Sequence, residues 1–76
     1  RTGKIDLVGT RVKDAIADIN RYNKRKVILA DPSLAGEEFD GVFRTNDPEG
    51  FARVIAGSFD RSLDLTNPEE IKIVAR

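Results

Sequence analysis

Few side chains in this 76-residue chain could carry out chemistry: three serines (Ser33, Ser58 and Ser62), two adjacent carboxylate pairs (Glu37/Glu38 and Glu69/Glu70) and a run of cations at Arg21, Lys24, Arg25 and Lys26. Histidine and cysteine are both absent. Without them there is no histidine-based triad, no thiolate nucleophile and no zinc site of His/Cys type. A serine hydroxyl becomes a useful nucleophile only beside a base, and here only carboxylates and lysines could serve. Neighbouring carboxylates on a strand point to opposite faces and do not converge on one substrate, so both pairs read as solvating charges. A catalytic pocket also needs more wall than so short a chain supplies. The expectation is a non-enzymatic domain with no catalytic, metal-ligating or cofactor-binding residues.

The charges balance, 13 basic against 13 acidic, so no broad field draws the domain to nucleic acid or to an anionic membrane. A nucleic-acid site would combine a larger positive face with exposed aromatics or a glycine-rich clamp loop, and neither is evident. No stretch approaches the apolar length of a membrane span, and the first residues lack the layout of a signal peptide. The lack of cysteine is compatible with any redox compartment. The length fits one domain, residues 1–76, that buries only about 60% of its unfolded surface and has a stability on the order of 5 kcal/mol.

What positions these residues is a set of short elements. Alternation over residues 4–8 predicts a strand with Ile5 and Leu7 inward, broken at Gly9, with Thr10 as the N-cap of a helix over about residues 11–23. Val12, Ala15, Ile16, Ile19 and Tyr22 form one apolar stripe on that helix. Asn23 suits the left-handed residue that ends it, and the following cations suit its negative end. Val27-Ile28-Leu29-Ala30 does not alternate and predicts a strand covered on both faces. Residues 31–36 form a turn around Pro32 with Leu34 tucked into the core edge. Residues 37–44 predict a third strand with Phe39, Gly41 and Phe43 on one face and Gly41 at a bulge or close approach. Asn46-Asp47-Pro48-Glu49 opens a second helix over about residues 48–58. Its apolar face is Phe51, Ala52, Val54, Ile55 and Phe59, with Gly57 as a close-contact point. Residues 62–65 and 71–75 predict two strands joined by a hairpin turn. The order is βαββαββ, an α+β domain of two helices packed against small sheets, with right-handed crossovers wherever the strands around a helix share a sheet.

The wording from Val12 to Gly41 carries a resemblance. The helix ending Asn20-Arg21-Tyr22-Asn23, the Val27-Ile28-Leu29-Ala30-Asp31-Pro32 continuation, Leu34 and the Gly41-Val42-Phe43 strand resemble the C-terminal periplasmic domain of FecR-type anti-sigma regulators. The likeness continues through the second helix to the last strand. The Asn20 to Asn23 tetrapeptide is its most specific part, while the strand-helix-strand rhythm is shared with the wider secretin and TonB short N-terminal domains. Where that family often carries a proline-leucine pair at the helix start, this chain has Arg11-Val12. The resemblance implies a protein-binding signalling module in the periplasm of a Gram-negative bacterium, part of an inner-membrane regulator. Its partner would be the periplasmic signalling domain of a TonB-dependent outer-membrane receptor. The parent would reach its extracytoplasmic-function sigma factor, and the membrane, through segments outside this chain. The alternative of the same fold class is the signalling domain of such a receptor or the first periplasmic domain of a secretin.

Candidate partner-binding residues follow from the physics of small sheets. Open sheets leave edge strands with unpaired backbone groups, and adding a partner's strand to an edge is a general recognition mode. The edges expected to serve are Leu63-Asp64-Leu65 and the third strand, with Phe39, Asp40, Val42 and Arg44. The cations Arg21, Lys24, Arg25 and Lys26 form a second candidate surface, able to steer an acidic partner. Their plainer reading is a solvated helix end favoured by the dipole. Tyr22, on the apolar stripe, is expected to be a core ring with its hydroxyl at the rim.

Overall fold

The computed structural model describes residues 3–76 of the chain. In chain order the elements are β1 (Lys4–Arg11), α1 (Val12–Asn20), β2 (Lys26–Leu29), a 3-10 turn (Pro32–Leu34), β3 (Glu38–Arg44), α2 (Pro48–Ser58), β4 (Ser62–Asp64) and β5 (Glu70–Val74). This is the anticipated α+β order. The strands form two sheets: an antiparallel β1/β3 ribbon, and a three-stranded sheet in the order β2-β5-β4, with β2 parallel and β4 antiparallel to β5.

One core serves both sheets. Val12, Ala15, Ile16 and Ile19 of α1, Phe51, Ala52 and Ile55 of α2, Leu7 of β1, Val27 of β2, Leu34 of the turn, and Ile71 and Ile73 of β5 are buried together. Phe39 and Phe43 flank this core, and their rings meet Phe51 at centroid distances of 6.3 and 5.1 Å. The period-2 burial of β3 follows the alternation of its sequence. At Gly41 a Cβ atom would come within 2.8 Å of the Phe43 ring, which makes this the close approach expected of that glycine.

Several expectations are corrected. Gly9 does not end β1; it sits left-handed (φ 55°) in a bulge, where the pairing with β3 shifts between Leu7 and Thr10. Thr10 is therefore a strand residue opposite Phe39, not an N-cap. The first amides of α1 are satisfied instead by backbone, Val12 N–H donating to the Glu37 carbonyl at 2.8 Å and Lys13 N–H to that of Ala35 at 3.2 Å. Helix α1 stops at Asn20, three residues early, and Tyr22 lies beyond it and is 59% exposed, so it is not a core ring. Asn23 is not left-handed; among the described residues the one non-glycine with that geometry is Asp60 (φ 58°). Asp60 follows α2, and Arg61 N–H closes that helix by donating to the Ala56 carbonyl at 2.7 Å.

The strand interior to the sheet is not β2 but β5, and even β5 buries one face only, Ile71 and Ile73 alternating with half-buried Glu70, Lys72 and Val74. β2 is an edge strand, and its Ile28 is only half-buried. In neither strand-helix-strand unit do the two strands share a sheet, so the crossover rule has no instance there. Val54 points away from the core, 47% exposed, and Ala56 takes a buried place instead. Gly57 is not a close contact, because nothing lies within 4 Å of where its Cβ would be.

Candidate partner-binding surface

The expected site residues fall in three separate places. Leu63 and Asp64 lie on β4, an outer strand of the three-stranded sheet, and Leu65 just follows it; all three are half-buried. Phe39, Asp40, Val42 and Arg44 lie on β3 of the ribbon. Phe39 faces the core, while Asp40, Val42 and Arg44 face outward, Asp40 accepting the Gly9 N–H at 2.5 Å. Arg44 stands directly opposite Lys4, a like-charge pairing that weakens that end of the ribbon.

The basic run is not a cluster of free cations. Arg21 pairs with Asp18 at 2.6 Å. Arg25 donates to the Glu70 carbonyl at 3.3 Å and lies 3.6 Å from Glu49. Lys26 Nζ donates to the carbonyls of Asn20 at 2.7 Å and Asn23 at 2.5 Å, an arrangement in keeping with a cation at the negative helix end. Lys24 and Arg25 line a cleft of about 370 Å³ with Pro68 and Glu69.

Asn20 and Asn23 turn out to be structural. The Asn20 carboxamide accepts the Val27 N–H at 2.8 Å and donates to the Val27 carbonyl at 3.0 Å. β2 bonds to β5 through Lys26 and Ala30, whose N–H groups donate to the Glu69 and Ile73 carbonyls. Val27 thus turns its backbone to the open side, and Asn20 occupies the place of a further strand. Asn23 Nδ2 donates to the Ile19 carbonyl at 2.9 Å and the Thr45 carbonyl at 2.7 Å, tying the helix end to the turn before α2. No hydrophobic pattern signals these bonds. The only trace in the sequence is two asparagines three apart at a helix end, where their short amides can reach backbone.

A second group unnoticed in the sequence is a clasp between the 3-10 turn and the end of α2. Arg61 Nε donates to Asp31 at 2.6 Å and its Nη1 to the Phe59 carbonyl at 2.5 Å, while Ser33 Oγ donates to Asp31 at 2.7 Å. The Ser33 hydroxyl, then the Arg61 guanidinium and the Ser33 amide, hold the Asp31 carboxyl below the usual carboxylate range. Thr66, through its hydroxyl and its amide, does the same for Asp64. A carboxylate lowered in the folded state stabilises above its unfolded value of about 3.9 and loses that contribution as pH falls through the folded value. Asp31→Asn is therefore expected to lower the urea midpoint at about pH 7, with the gap to wild type closing as pH falls past the unfolded value and through the folded one. An equal gap at both ends of that range would place the effect in packing instead.

Among the described residues no group of three or more Asp, Glu, His or Cys is placed to hold a metal, and no helix is long and apolar enough to cross a membrane. No family model matches the sequence, and no curated protein matches it. Among solved structures, a candidate anti-sigma factor from Parabacteroides distasonis is similar in fold, with a TM-score of 0.76 and 15% identity over 99% of this chain and 35% of that one. This chain thus spans about a third of that protein's length. At that identity the likeness is one of fold, and it establishes the βαββαββ arrangement as one found within a larger protein of that description.

Proposed function

We propose that this domain is the periplasmic signalling module of a FecR-type anti-sigma regulator. It receives a signal by binding the periplasmic signalling domain of a TonB-dependent outer-membrane receptor. The regulator passes the signal through its membrane-spanning and cytoplasmic parts, outside this chain, to an extracytoplasmic-function sigma factor that serves iron transport or related uptake genes. The domain itself binds protein and catalyses nothing. The observation that carries the reading is the shared fold over 99% of this chain with a candidate anti-sigma factor. It is joined by the Asn20 to Asn23 wording, whose two amides close the end of α1 and the outer side of β2.

Calorimetric titration of the domain with the N-terminal signalling domain of the TonB-dependent receptor encoded beside the parent gene tests it. Saturable binding with a Kd of micromolar order or tighter, equivalent to about −8 kcal/mol, is the expected result. No binding, or a parent gene that itself encodes a downstream β-barrel, overturns the proposal.

A further inference from the structure

We propose that the outer edge of β4, with the groove between it and α2, takes an added strand from the partner protein. The incoming segment presents an apolar side chain toward Gly57 and a basic side chain opposite Asp64. This rests on the reading of the domain as a receiver of a protein partner, and it names the surface and the chemistry of the segment received.

The two outer edges of the three-stranded sheet differ. On β2 the outward backbone of Val27 is closed by Asn20, one of the ways in which proteins blunt exposed edges. On β4 nothing equivalent exists: among the described residues the backbone of residues 62–64 bonds only to β5. The β2 edge is closed at Val27, and the β4 edge is open. β3 also has a free side, but the inward rings beside it, Phe39 and Phe43, are already packed on Phe51. A strand added there would find no apolar room.

Beside β4 there is room. A groove of about 370 Å³ runs between α2 and β4, lined by Arg53, Ala56, Gly57, Arg61, Ser62, Leu63 and Leu65. Gly57 lies in the last turn of α2 with an ordinary helical backbone, and a Cβ there would meet no atom within 4 Å. Neither the backbone nor neighbouring packing requires a glycine, although in a helix it costs about 1 kcal/mol relative to alanine. Its effect is to keep the groove floor flat where the inward side chain of a further strand would lie.

The charges specify the other face. Arg53 and Arg61 are neutralised by Glu49 and Asp31, at 2.6 Å each. The groove wall therefore carries little net charge, and an inward apolar side chain of the added strand would meet Ala56, Gly57, Leu63 and Leu65. Asp64 alternates to the outer face, is kept ionised by Thr66 and stands opposite Lys72 of β5. On its open side a cation on the added strand completes the cross-strand row.

The test is NMR titration of the 15N-labelled domain with the same receptor signalling domain. The amides of residues 62–65 and of Ala56 and Gly57 are expected to shift. Gly57→Leu fills the groove and is expected to weaken binding at least about tenfold while the thermal midpoint rises, since leucine is the better helix former; loss of binding then cannot come from loss of folding. Asp64→Asn, which retains an acceptor for Thr66, is expected to weaken binding about threefold and to reduce its salt dependence. Val42→Asp, on the outer face of the ribbon, is expected to leave affinity unchanged. Wild-type affinity in Gly57→Leu, or shifts confined to the ribbon, overturns the β4 site and leaves the functional reading standing. Absence of binding by the wild-type domain overturns both.

Discussion

Replacing Phe51 by alanine is expected to leave much of the domain unfolded at 25 °C. Phe51 is 1% exposed and is the point where α2 meets the ribbon. Its ring stands edge-on to Phe43 at 5.1 Å and tilted to Phe39 at 6.3 Å. Truncating a buried phenylalanine costs about 3–5 kcal/mol, comparable with the roughly 5 kcal/mol available to a domain of this size. The flanking rings belong to β3, which is tied to the rest mainly through β1 and this contact, so collapse into the void would separate the ribbon from the helices. The thermal midpoint is expected to fall by roughly 15 °C or more, read by circular dichroism. Phe51→Leu, which keeps most of the volume, is expected to cost less than half as much. Equal losses for the two variants would show that ring geometry, not volume, holds the ribbon in place.

Asn20→Ala is expected to cost about 2–3 kcal/mol and, in addition, to create self-association. The first effect follows from leaving both the N–H and the carbonyl of Val27 without a partner, each such group costing about 1–3 kcal/mol where water reaches it poorly. The second follows from exposing the outer side of β2 as a template for another chain. Asn20→Asp separates the two bonds: it retains an acceptor for the Val27 N–H but faces the Val27 carbonyl with a negative oxygen, so it is expected to be at least as destabilising as alanine. Sedimentation of the Asn20→Ala domain at increasing concentration reads the association. A strictly monomeric Asn20→Ala protein with an unchanged urea midpoint would remove the amide's role as an edge stopper.

The elements were legible where one local signal dominates. Asp47 caps α2 by accepting the Gly50 N–H at 3.0 Å, Pro48 follows at the first helical position, and the helix spans the expected residues. β3 alternates as its apolar residues do, and Leu34 is buried in the turn around Pro32. The misreadings arose where tertiary partners override local pattern. Gly9 resembles a strand end because a glycine at a bulge and a glycine at a terminus look alike from one strand, and only the register with β3 separates them. The apolar run of β2 resembles an interior strand because α1 and the core cover one side while Asn20 closes its outer edge, and a side chain standing in for a strand leaves no periodic trace. Tyr22 continues the stripe of α1 in spacing, but the helix stops two residues before it, so the angular argument no longer applies. Of the candidate surface, the presence of the β4 edge was legible. The groove beside it was not, because Gly57 reads as a tight contact until the empty space above it is seen.

The central place of β5 has a bearing on how the chain reaches this form. β2 and β4 do not pair with each other; each is joined to the sheet through the five residues Glu70–Val74. A polypeptide emerging from the ribosome amino end first has β2 ready long before the strand that joins it to the sheet, whereas β4 immediately precedes that strand. The sheet is therefore assembled in one late step, across a separation of more than forty positions between Val27 and Ile71, and such long loop closures slow folding. Until that step the apolar faces of both helices lack the part of their cover that Ile71 and Ile73 supply, which makes this interval the one in which a chaperone would matter most and in which a nick by a protease would be least reversible.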